Sequence, residues 1–262
     1  MAVIGIDLGT TNSLAGVWQD GKVVLIPNAF GEYLTPSVVG IGKNQEVFVG
    51  SVAKEMLATQ PYDTFREFKR NMGTNFLYGN GRKKYRAEEL SAFVLRRLKE
   101  DAEKFLGEEV TEAVISVPAY FDDNKRNATK NAGRLAGLKV ERLINEPSAV
   151  ALKHHTAEKG AESFIVFDFG GGTLDVSLVE AFDNVVEIQA VAGDNYLGGK
   201  DFNEIIAQDF YEQNQISEAY LTKNEQENVL KEAEAVKKEL TDKNEAERQV
   251  YIKGEAYTLK MT

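Results

Sequence analysis

The sequence predicts an α/β protein built from two similar lobes with a binding site between them. The segment at residues 3–18, VIGIDLGTTNSLAGVW, is repeated in outline at residues 164–179, FIVFDFGGGTLDVSLV. Both copies run from an apolar strand through an aspartate and a glycine-containing turn into a second strand, so they predict two related β-meanders. Between the copies, short apolar strands alternate with amphipathic helices, which is the pattern of α/β domains.

Each copy of the repeat predicts three antiparallel strands. In the first copy, Asp20-Gly21 separates the second strand from VVLIP at residues 23–27. In the second copy, Asp183-Asn184 precedes VVEIQAV at residues 185–191. Both dipeptides are typical of tight hairpin turns between alternating strands, so we expect antiparallel pairing at the start of each lobe.

Helices and strands then alternate along the rest of the chain. Gly107 is a typical helix stop, Asp122 or Asp123 is a typical N-cap, and Pro147 stands where a first helical turn accepts proline. The predicted order is a helix at 87–107, a strand at 112–118, a helix at 121–137, a strand at 140–144, a helix at 146–155, a helix at 201–210 and a helix from Thr222 to about Thr241. Thr222 and Glu225 have the spacing of a capping box.

The composition excludes several classes of protein. The chain has 262 residues, of which 43% are hydrophobic, so it can bury the core of two lobes. We find neither a signal-peptide pattern nor the ~18 consecutive apolar residues of a membrane span, and therefore expect a cytoplasmic protein. The absence of cysteine excludes disulfides and thiolate metal sites. A net charge of −10 argues against binding to nucleic acid or an anionic membrane.

A carboxylate beside a glycine turn recurs at the end of both opening strands, as Asp7 before Gly9 and as Asp168 before Gly170. Such a turn can direct successive backbone N–H groups at a phosphate. Mg²⁺ needs only one or two carboxylates, because it keeps several of its waters. Each copy alone favours a simple tight turn, but the matched pair favours a polyphosphate and Mg²⁺ site between the lobes.

Two familiar nucleotide motifs are absent from the sequence. No Gly-Lys pair is followed by Ser or Thr, so there is no P-loop. The GIDLGTTN segment lacks the third glycine of a dinucleotide fingerprint and leads into a predicted hairpin instead of a helix.

Six motifs resemble those of one known family. GIDLGTTNS, VISVPAYFDD, AGRLAGL, LINEPSAVAL, FDFGGGTLDVSLVE and AGDNYLGGKDFN follow one another between residues 5 and 203. In this order they resemble the nucleotide-binding (ATPase) domain of DnaK-type chaperones, the seventy-kilodalton heat-shock proteins. The resemblance implies an actin-like and sugar-kinase-like fold of duplicated ribonuclease-H-like lobes with the order βββαβαβα. LIPNAFGEYLTPSVV and the short connection from Gly73 to Glu88 are more similar to the bacterial HscC-type members.

The resemblance also implies a domain organisation. Residues 1–160 would form the first lobe, with a small subdomain at about 30–90. Residues 161–262 would form a truncated, incomplete second lobe, with a helical subdomain at about 200–262. Because the family's ATPase domains continue further, we expect this fragment to bind nucleotide weakly and to turn over little ATP.

The resemblance implies roles for the residues that match the family's motifs. Asp7 and Asp168 would hold Mg²⁺ through water, and Asp175 would join them around a monovalent cation such as K⁺. Lys69 would position the attacking water, and Glu146 would reach the metal through water. On sequence alone, Lys69 is instead a surface charge on a helix.

The remaining implied contacts are with the nucleotide. Thr173 would lie beside the γ-phosphate as a catalytic residue. The other implied nucleotide-binding residues are Thr10, Thr11, Asn12, Gly170, Gly171, Gly172, Gly198, Gly199, Glu234, Lys237, Lys238 and Thr241. Lys238 replaces an arginine that stacks on adenine in the family, and an ammonium group cannot stack in that way. Without the family, the charged stripe around Glu234 is a solvated helix face.

The implied function is slow ATP hydrolysis that switches the affinity for client polypeptides in a stress response. Pro118 and Arg126 would relay the nucleotide state to an absent C-terminal peptide-binding domain. A J-domain co-chaperone and a nucleotide-exchange factor would be the partners, and ATP/ADP, Mg²⁺ and K⁺ would be the cofactors. Two alternatives stay open: another actin-fold protein, such as a sugar kinase or filament ATPase, and a non-catalytic co-chaperone-binding module.

Overall fold

A computed structural model describes residues 2–79, 83–154, 160–182 and 185–262 of the chain. Its first half contains nine strands and four α-helices. In chain order they are β1 (Ala2–Asp7), β2 (Asn12–Gln19), β3 (Lys22–Ile26), β4 (Thr35–Pro36), β5 (Val38–Ile41), β6 (Val47–Val49), α1 (Ser51–Thr59), β7 (Thr64–Arg66), α2 (Ala87–Leu106), β8 (Val110–Val117), α3 (Asp123–Leu135), β9 (Lys139–Asn145) and α4 (Glu146–His154).

The second half contains five strands and two α-helices among the described residues. They are β10 (Glu162–Phe169), β11 (Leu174–Phe182), β12 (Val185–Asp194), α5 (Gly199–Gln213), α6 (Lys223–Glu239), β13 (Ala246–Ile252) and β14 (Glu255–Met261). Short 3₁₀ helices stand at Phe68–Asn71 and Glu218–Tyr220. No helix in these ranges is both long and apolar enough to cross a membrane.

The main sheet of the first lobe has the strand order β3-β2-β1-β8-β9, with β4 paired to β2. The predicted antiparallel meander is confirmed, because β1 pairs with β2, and β2 with β3, in antiparallel register. β8 and β9 add to it in parallel, as crossover helices require. Ile4 and Ile6 on one face of β1 join Leu90 and Val94 of α2 in a single buried core.

The helix ends follow local sequence signals. α2 ends at Gly107, whose φ of 71° is the left-handed conformation that glycine adopts without a Cβ penalty. α3 is capped by Asp122, whose Oδ1 accepts a hydrogen bond of 2.8 Å from the backbone N–H of Lys125. Of the two candidate caps that the sequence offers, Asp122 is therefore the N-cap and Asp123 is not.

We expect Asp122→Ala to lower the free energy of unfolding by about 1 kcal/mol, because one N–H at the start of α3 loses its acceptor. Urea denaturation followed by circular dichroism measures the change. Asp123→Ala is the matched control, since Asp123 is the first helical residue and does not cap the helix. An equal or larger loss in the control would contradict this assignment of the cap.

We call β5, β6, β7 and α1 the small subdomain. Its three-stranded sheet has the order β6-β5-β7 and carries α1 on one side. β7 leads directly into the 3₁₀ helix that contains Lys69. Only 9% of Lys69 is exposed, so its interpretation from sequence alone as a surface charge is wrong.

The second lobe opens with the antiparallel sheet β10-β11-β12, as the repeat predicts. The predicted turn residues Asp183 and Asn184 lie outside the described residues. α6 begins with the predicted capping box of Thr222 and Glu225. The segment predicted as a helical subdomain at about 200–262 also contains the hairpin of β13 and β14, which packs against α6 around Val250 and Leu259.

Candidate functional site

The glycine turns of the two lobes both line an open cleft of about 710 Å³. The predicted site residues that line it are Asp7, Thr10, Thr11, Asn12, Lys69, Glu146, Asp168, Gly170, Gly171 and Thr173. They come from β1, the turn before β2, the first residue of β2, the 3₁₀ helix, the start of α4, the end of β10 and the turn before β11. Residues as far apart in sequence as Asp7 and Thr173 therefore share one cavity.

Asp7 ends β1 at the rim of the main sheet, where it is exposed to the cleft. Its Oδ1 accepts a hydrogen bond of 2.9 Å from the hydroxyl of Ser116 on the neighbouring strand. The charge of Asp7 is not buried, because Asp7 lies with Val3 and Gly5 on the exposed face of β1, whereas Ile4 and Ile6 face the core.

The first glycine turn is held by two buried hydroxyl groups. Ser13 Oγ accepts a hydrogen bond of 3.2 Å from the backbone N–H of Gly9, and Ser37 Oγ donates one of 2.8 Å to the Gly9 carbonyl. The two hydroxyls are themselves 2.8 Å apart. This network leaves Thr10 and Thr11 projecting from the turn toward the second lobe.

The second glycine turn closes on itself and against α5. The Gly170 N–H donates a 2.9 Å bond to the Thr173 carbonyl, and the Gly199 N–H donates a 3.1 Å bond to the Gly170 carbonyl. A Cβ on Gly198 would lie 2.4 Å from the backbone nitrogen of Gly172, so only glycine allows this approach. Gly172 is buried at the base of the turn.

The two turns are in direct contact. A Cβ on Gly171 would lie 1.9 Å from Oγ1 of Thr11, so glycine at this position lets the lobes approach to van der Waals distance. The facing pair of turns, with backbone N–H groups and two threonine hydroxyls, has the donor chemistry that phosphate oxygens require. A polyphosphate fits between them only if the lobes separate slightly.

Lys69 and Glu146 form an ion pair of 2.9 Å at the inner end of the cleft. Their side chains are 10% and 17% exposed. Burial raises the pKa of Glu146, whereas the nearby Lys69 ammonium lowers it and the charges of Asp7 and Asp168 raise it further, with a net upward shift. The pair supplies one cation at the position where the cleft is otherwise acidic.

The acidic groups repel one another. Burial and then the charge of Asp7 raise the pKa of Asp168. Asp175 stands opposite Asp168 in the sheet, and burial, followed by the charges of Glu146 and Asp168, raises the pKa of Asp175 to about 6. These oxygens are hard ligands of the kind that hydrated Mg²⁺ and monovalent cations prefer, so the donor set fits both ions.

The described carboxylates are not arranged to bind a metal ion directly. Within the described ranges, no group of three or more His, Cys, Asp or Glu side chains is placed to hold an ion. Asp168, Asp175 and Glu146 instead line a cavity of about 10 Å³, roughly the space of one water. The arrangement therefore fits a metal that is held through water.

A second cavity of about 150 Å³ extends from the glycine turns toward α6. Gly199, Glu234 and Lys237 line it, and Lys237 Nζ donates a hydrogen bond to the Gly199 carbonyl. Burial acts to raise the pKa of Glu234, but hydrogen bonds from Lys238 and Lys54 outweigh it and lower that pKa to about 2. Glu234 is thus a fixed negative charge on the wall of this cavity.

Four predicted nucleotide contacts lie outside both cavities, namely Gly172, Gly198, Lys238 and Thr241. Lys238 is 65% exposed and pairs with Glu234 at 2.7 Å, and Thr241 is exposed after the end of α6. The predicted relay residues lie on the other side of the site. Pro118 directly follows β8 and lines the small cavity beside Asp175. Arg126 connects the loop after β8 to Asn145 through a 2.8 Å hydrogen bond.

Sequence reasoning missed a set of ion pairs that join the small subdomain to α5 and α6. They are Lys54–Glu234 at 2.9 Å, Arg66–Glu227 at 2.9 Å, Lys200–Glu67 at 2.7 Å and Lys231–Glu55 at 2.7 Å. It also missed Arg70, which donates a hydrogen bond to the Gly172 carbonyl. The only signal for Arg70 is its place next to Lys69.

A protein-family model described as Hsp70 protein matches residues 3–79 and 77–258. The chain belongs to the Hsp70 family. The family match and the mixed α/β architecture together give the predicted actin-like ATPase fold. Hsp70 domains in general bind nucleotide with Mg²⁺, and Hsp70 proteins act as chaperones with co-chaperones and client polypeptides.

Proposed function

We propose that the cleft binds ATP with Mg²⁺ and hydrolyses it slowly, as the ATPase domain of a DnaK-type chaperone does. The observation that carries the proposal is the meeting of two carboxylates, two glycine turns and the Lys69–Glu146 pair in one cleft. Hydrolysis of a phosphoanhydride is mainly a problem of positioning and charge neutralisation, and this set of groups supplies both.

The proposed roles follow from the placement of each group. The turns at Thr10–Asn12 and Gly170–Gly172 would hold the phosphates through N–H and hydroxyl groups. Bound Mg²⁺ would neutralise charge that develops on the phosphates, held through water by Asp7 and Asp168. The Lys69 ammonium would hold the attacking water in line, and Glu146 would fix that ammonium in place.

The adenosine end of the nucleotide would occupy the cavity between the glycine turns and α6. Glu234 and Lys237 line that space, whereas Lys238 and Thr241 would have to reorient to reach it. We also propose K⁺ beside Asp175, because this half-buried carboxyl faces two other acidic side chains.

The proposed output is a change in the angle between the lobes. Ion pairs such as Arg66–Glu227 connect the small subdomain to α6, so opening the cleft must break them. Pro118 and Arg126 would report that change to a peptide-binding domain, with a J-domain protein and an exchange factor as partners. More specifically, we propose a bacterial, cytoplasmic protein of the HscC type. The segment at residues 25–39 and the short connection after Gly73 support the HscC type.

We expect ADP and ATP to bind weakly, with dissociation constants above the micromolar range, because Thr11 and Gly171 must separate to admit the phosphates. We also expect binding to depend on Mg²⁺, since the cleft carboxylates repel a free polyphosphate. Isothermal titration calorimetry with and without Mg²⁺ tests both expectations, with AMP as the control ligand. Equal affinity for ADP in EDTA would contradict the proposed role of Asp7 and Asp168.

A further inference from the structure

Glu67 has a backbone conformation that is unusual for its residue type. It stands directly before the 3₁₀ helix that contains Lys69, with a φ of 59° and a ψ of 19°, in the left-handed region. Glycine, asparagine and aspartate enter this region readily, whereas a longer residue such as glutamate does so at a cost in free energy. Strained residues of this kind persist only where the surrounding contacts hold them, and they cluster at functional sites.

The Glu67 side chain is surrounded by cations. Its carboxylate lies 2.7 Å from the ammonium of Lys200 and 3.5 Å and 3.6 Å from the guanidinium groups of Arg70 and Arg66. The Glu67 and Lys200 side chains are 22% and 25% exposed, so salt and water screen this pair less than an ion pair on an open surface. Arg66 and Arg70 belong to the same segment as Glu67, whereas Lys200 comes from α5. Lys200 therefore ties Glu67 to the second lobe.

Lys200 is fixed to the second glycine turn by its backbone. Its N–H donates a hydrogen bond of 2.9 Å to the Gly171 carbonyl, next to the bond from the Gly199 N–H to the Gly170 carbonyl. The turn that faces Thr11 and the ammonium that holds Glu67 are therefore parts of one unit, and they move together when the lobes open or close.

A second contact, of opposite polarity, joins the same two segments. Asp201 follows Lys200 on α5 and lies 3.7 Å from the guanidinium of Arg70. Its Oδ2 is oriented by a hydrogen bond of 2.6 Å from the Gly198 N–H. A cation and then an anion on α5 thus meet an anion and then a cation on the segment at residues 67–70, with Lys69 between the two charges of that segment. This alternation fixes how the segment docks on α5, because a displaced segment would bring like charges together.

We infer that Glu67 and Lys200 are positioning residues for Lys69, and that their ion pair places the 3₁₀ helix for reaction when the second glycine turn has closed on the first. The inference rests on the proposed function for what Lys69 does, but the docking of the two segments does not. When the lobes open, Glu67 loses Lys200 and keeps only the cations of its own segment. Closure of the lobes and placement of the Lys69 ammonium are then a single event.

The first test follows a single turnover of ATP by the full chain. We expect Glu67→Asn and Lys200→Gln each to lower the rate about tenfold or more, because each frees the segment that aims Lys69. Both side chains border the cavity toward α6, so ADP affinity is measured separately, and we expect it to change by less than about threefold. A loss of ADP affinity as large as the loss of rate would show that they are nucleotide contacts and would overturn the inference.

The melting temperature separates positioning from a purely structural role. Asparagine fits the left-handed region better than glutamate, so Glu67→Asn should keep or raise the melting temperature while it slows turnover. Gln215→Asn is the matched control, because Gln215 is an exposed residue after α5 with a φ of 55°. A fall in melting temperature with Glu67→Asn, together with unchanged turnover, would contradict the inference.

A double-mutant cycle tests whether the two residues act through one contact. The variant with both Glu67→Asn and Lys200→Gln should be no slower than either single variant, because both substitutions break the same ion pair. Lys231→Gln is the matched partner for comparison, since Lys231 pairs with Glu55 at 2.7 Å and joins α6 to α1 instead. Its effect should multiply with that of Glu67→Asn. Multiplicative effects for Glu67 and Lys200 would refute a shared contact.

Amine labelling tests the placement of Lys69 without nucleotide. Limiting acetic anhydride followed by mass spectrometry measures the reactivity of Lys69, which is 9% exposed. We expect Lys200→Gln to raise its labelling rate several-fold and Lys231→Gln to leave that rate unchanged. Thermal melts identify a variant that has unfolded, and Glu67→Asn replaces Lys200→Gln if the latter does not fold. Equal labelling in the variant and the parent chain would overturn the inference, whereas faster labelling in a chain that does not hydrolyse ATP would support the positioning pair and refute the ATPase proposal.

Discussion

Lys69→Met should reduce the rate of ATP turnover by about 10²- to 10³-fold, which is the usual cost of removing one preorganised charge from a transition state. Methionine keeps much of the volume of the side chain and removes only the ammonium. Glu146 then remains buried without its 2.9 Å partner, beside Asp7 and Asp168, so its pKa should rise further. The site loses both the group that orients water and the local cation that balances the carboxylates.

Single-turnover hydrolysis of radiolabelled ATP measures this effect, and ADP affinity separates it from a loss of binding. We expect ADP affinity to change by less than about fivefold, because the turns that hold the phosphates are intact. Lys99→Met is the matched control, since Lys99 forms an ion pair of similar length with Glu103 on α2, away from the cleft. Turnover of the Lys69 variant within threefold of the parent chain would contradict a catalytic role.

The sequence predicts well those features that residues close together in the chain determine. Gly107 ends α2 through its own φ angle, and Thr222 with Glu225 starts α6 through bonds between residues three positions apart. The hairpin of β2 and β3 follows in the same way, because the two-residue turn Asp20-Gly21 fixes the register of the strands that it joins. None of these features depends on a partner elsewhere in the chain.

The features that it predicts poorly depend on distant partners. Lys69 is buried only because Glu146, 77 residues later, reaches the same point of the cleft. The four ion pairs between the small subdomain and the second lobe join residues up to 180 positions apart, and each side chain alone is typical of a solvated surface. The apolar run around Asp7 likewise does not show that one face of β1, with Val3, Gly5 and Asp7, is exposed to the cleft.

Asp175→Asn should raise the melting temperature of the chain above pH 6 and leave it nearly unchanged near pH 4. Asp175 has an ordinary pKa of 3.8, raised to about 6 in the folded protein by burial and by Glu146 and Asp168. Between these two values the folded state binds more protons than the unfolded state, so the free energy of unfolding falls as the pH rises. The contribution is fully present below about pH 3.8 and is lost as the pH rises through about 6.

Asparagine removes that penalty because it is neutral at every pH and similar in shape. The group is only half buried, so we expect a modest gain of roughly 2–4 °C, equivalent to about 1 kcal/mol for a chain of this size. Differential scanning calorimetry from pH 4 to 8 measures it, with Asp242→Asn in an exposed loop as the control. A gain of the same size at pH 4 and pH 8 would show that packing, and not charge repulsion, is responsible.

Millimolar Mg²⁺ should shrink the difference in melting temperature between the Asp175→Asn variant and the parent chain at pH 7. A cation between Asp7 and Asp168 relieves the same repulsion that the substitution removes.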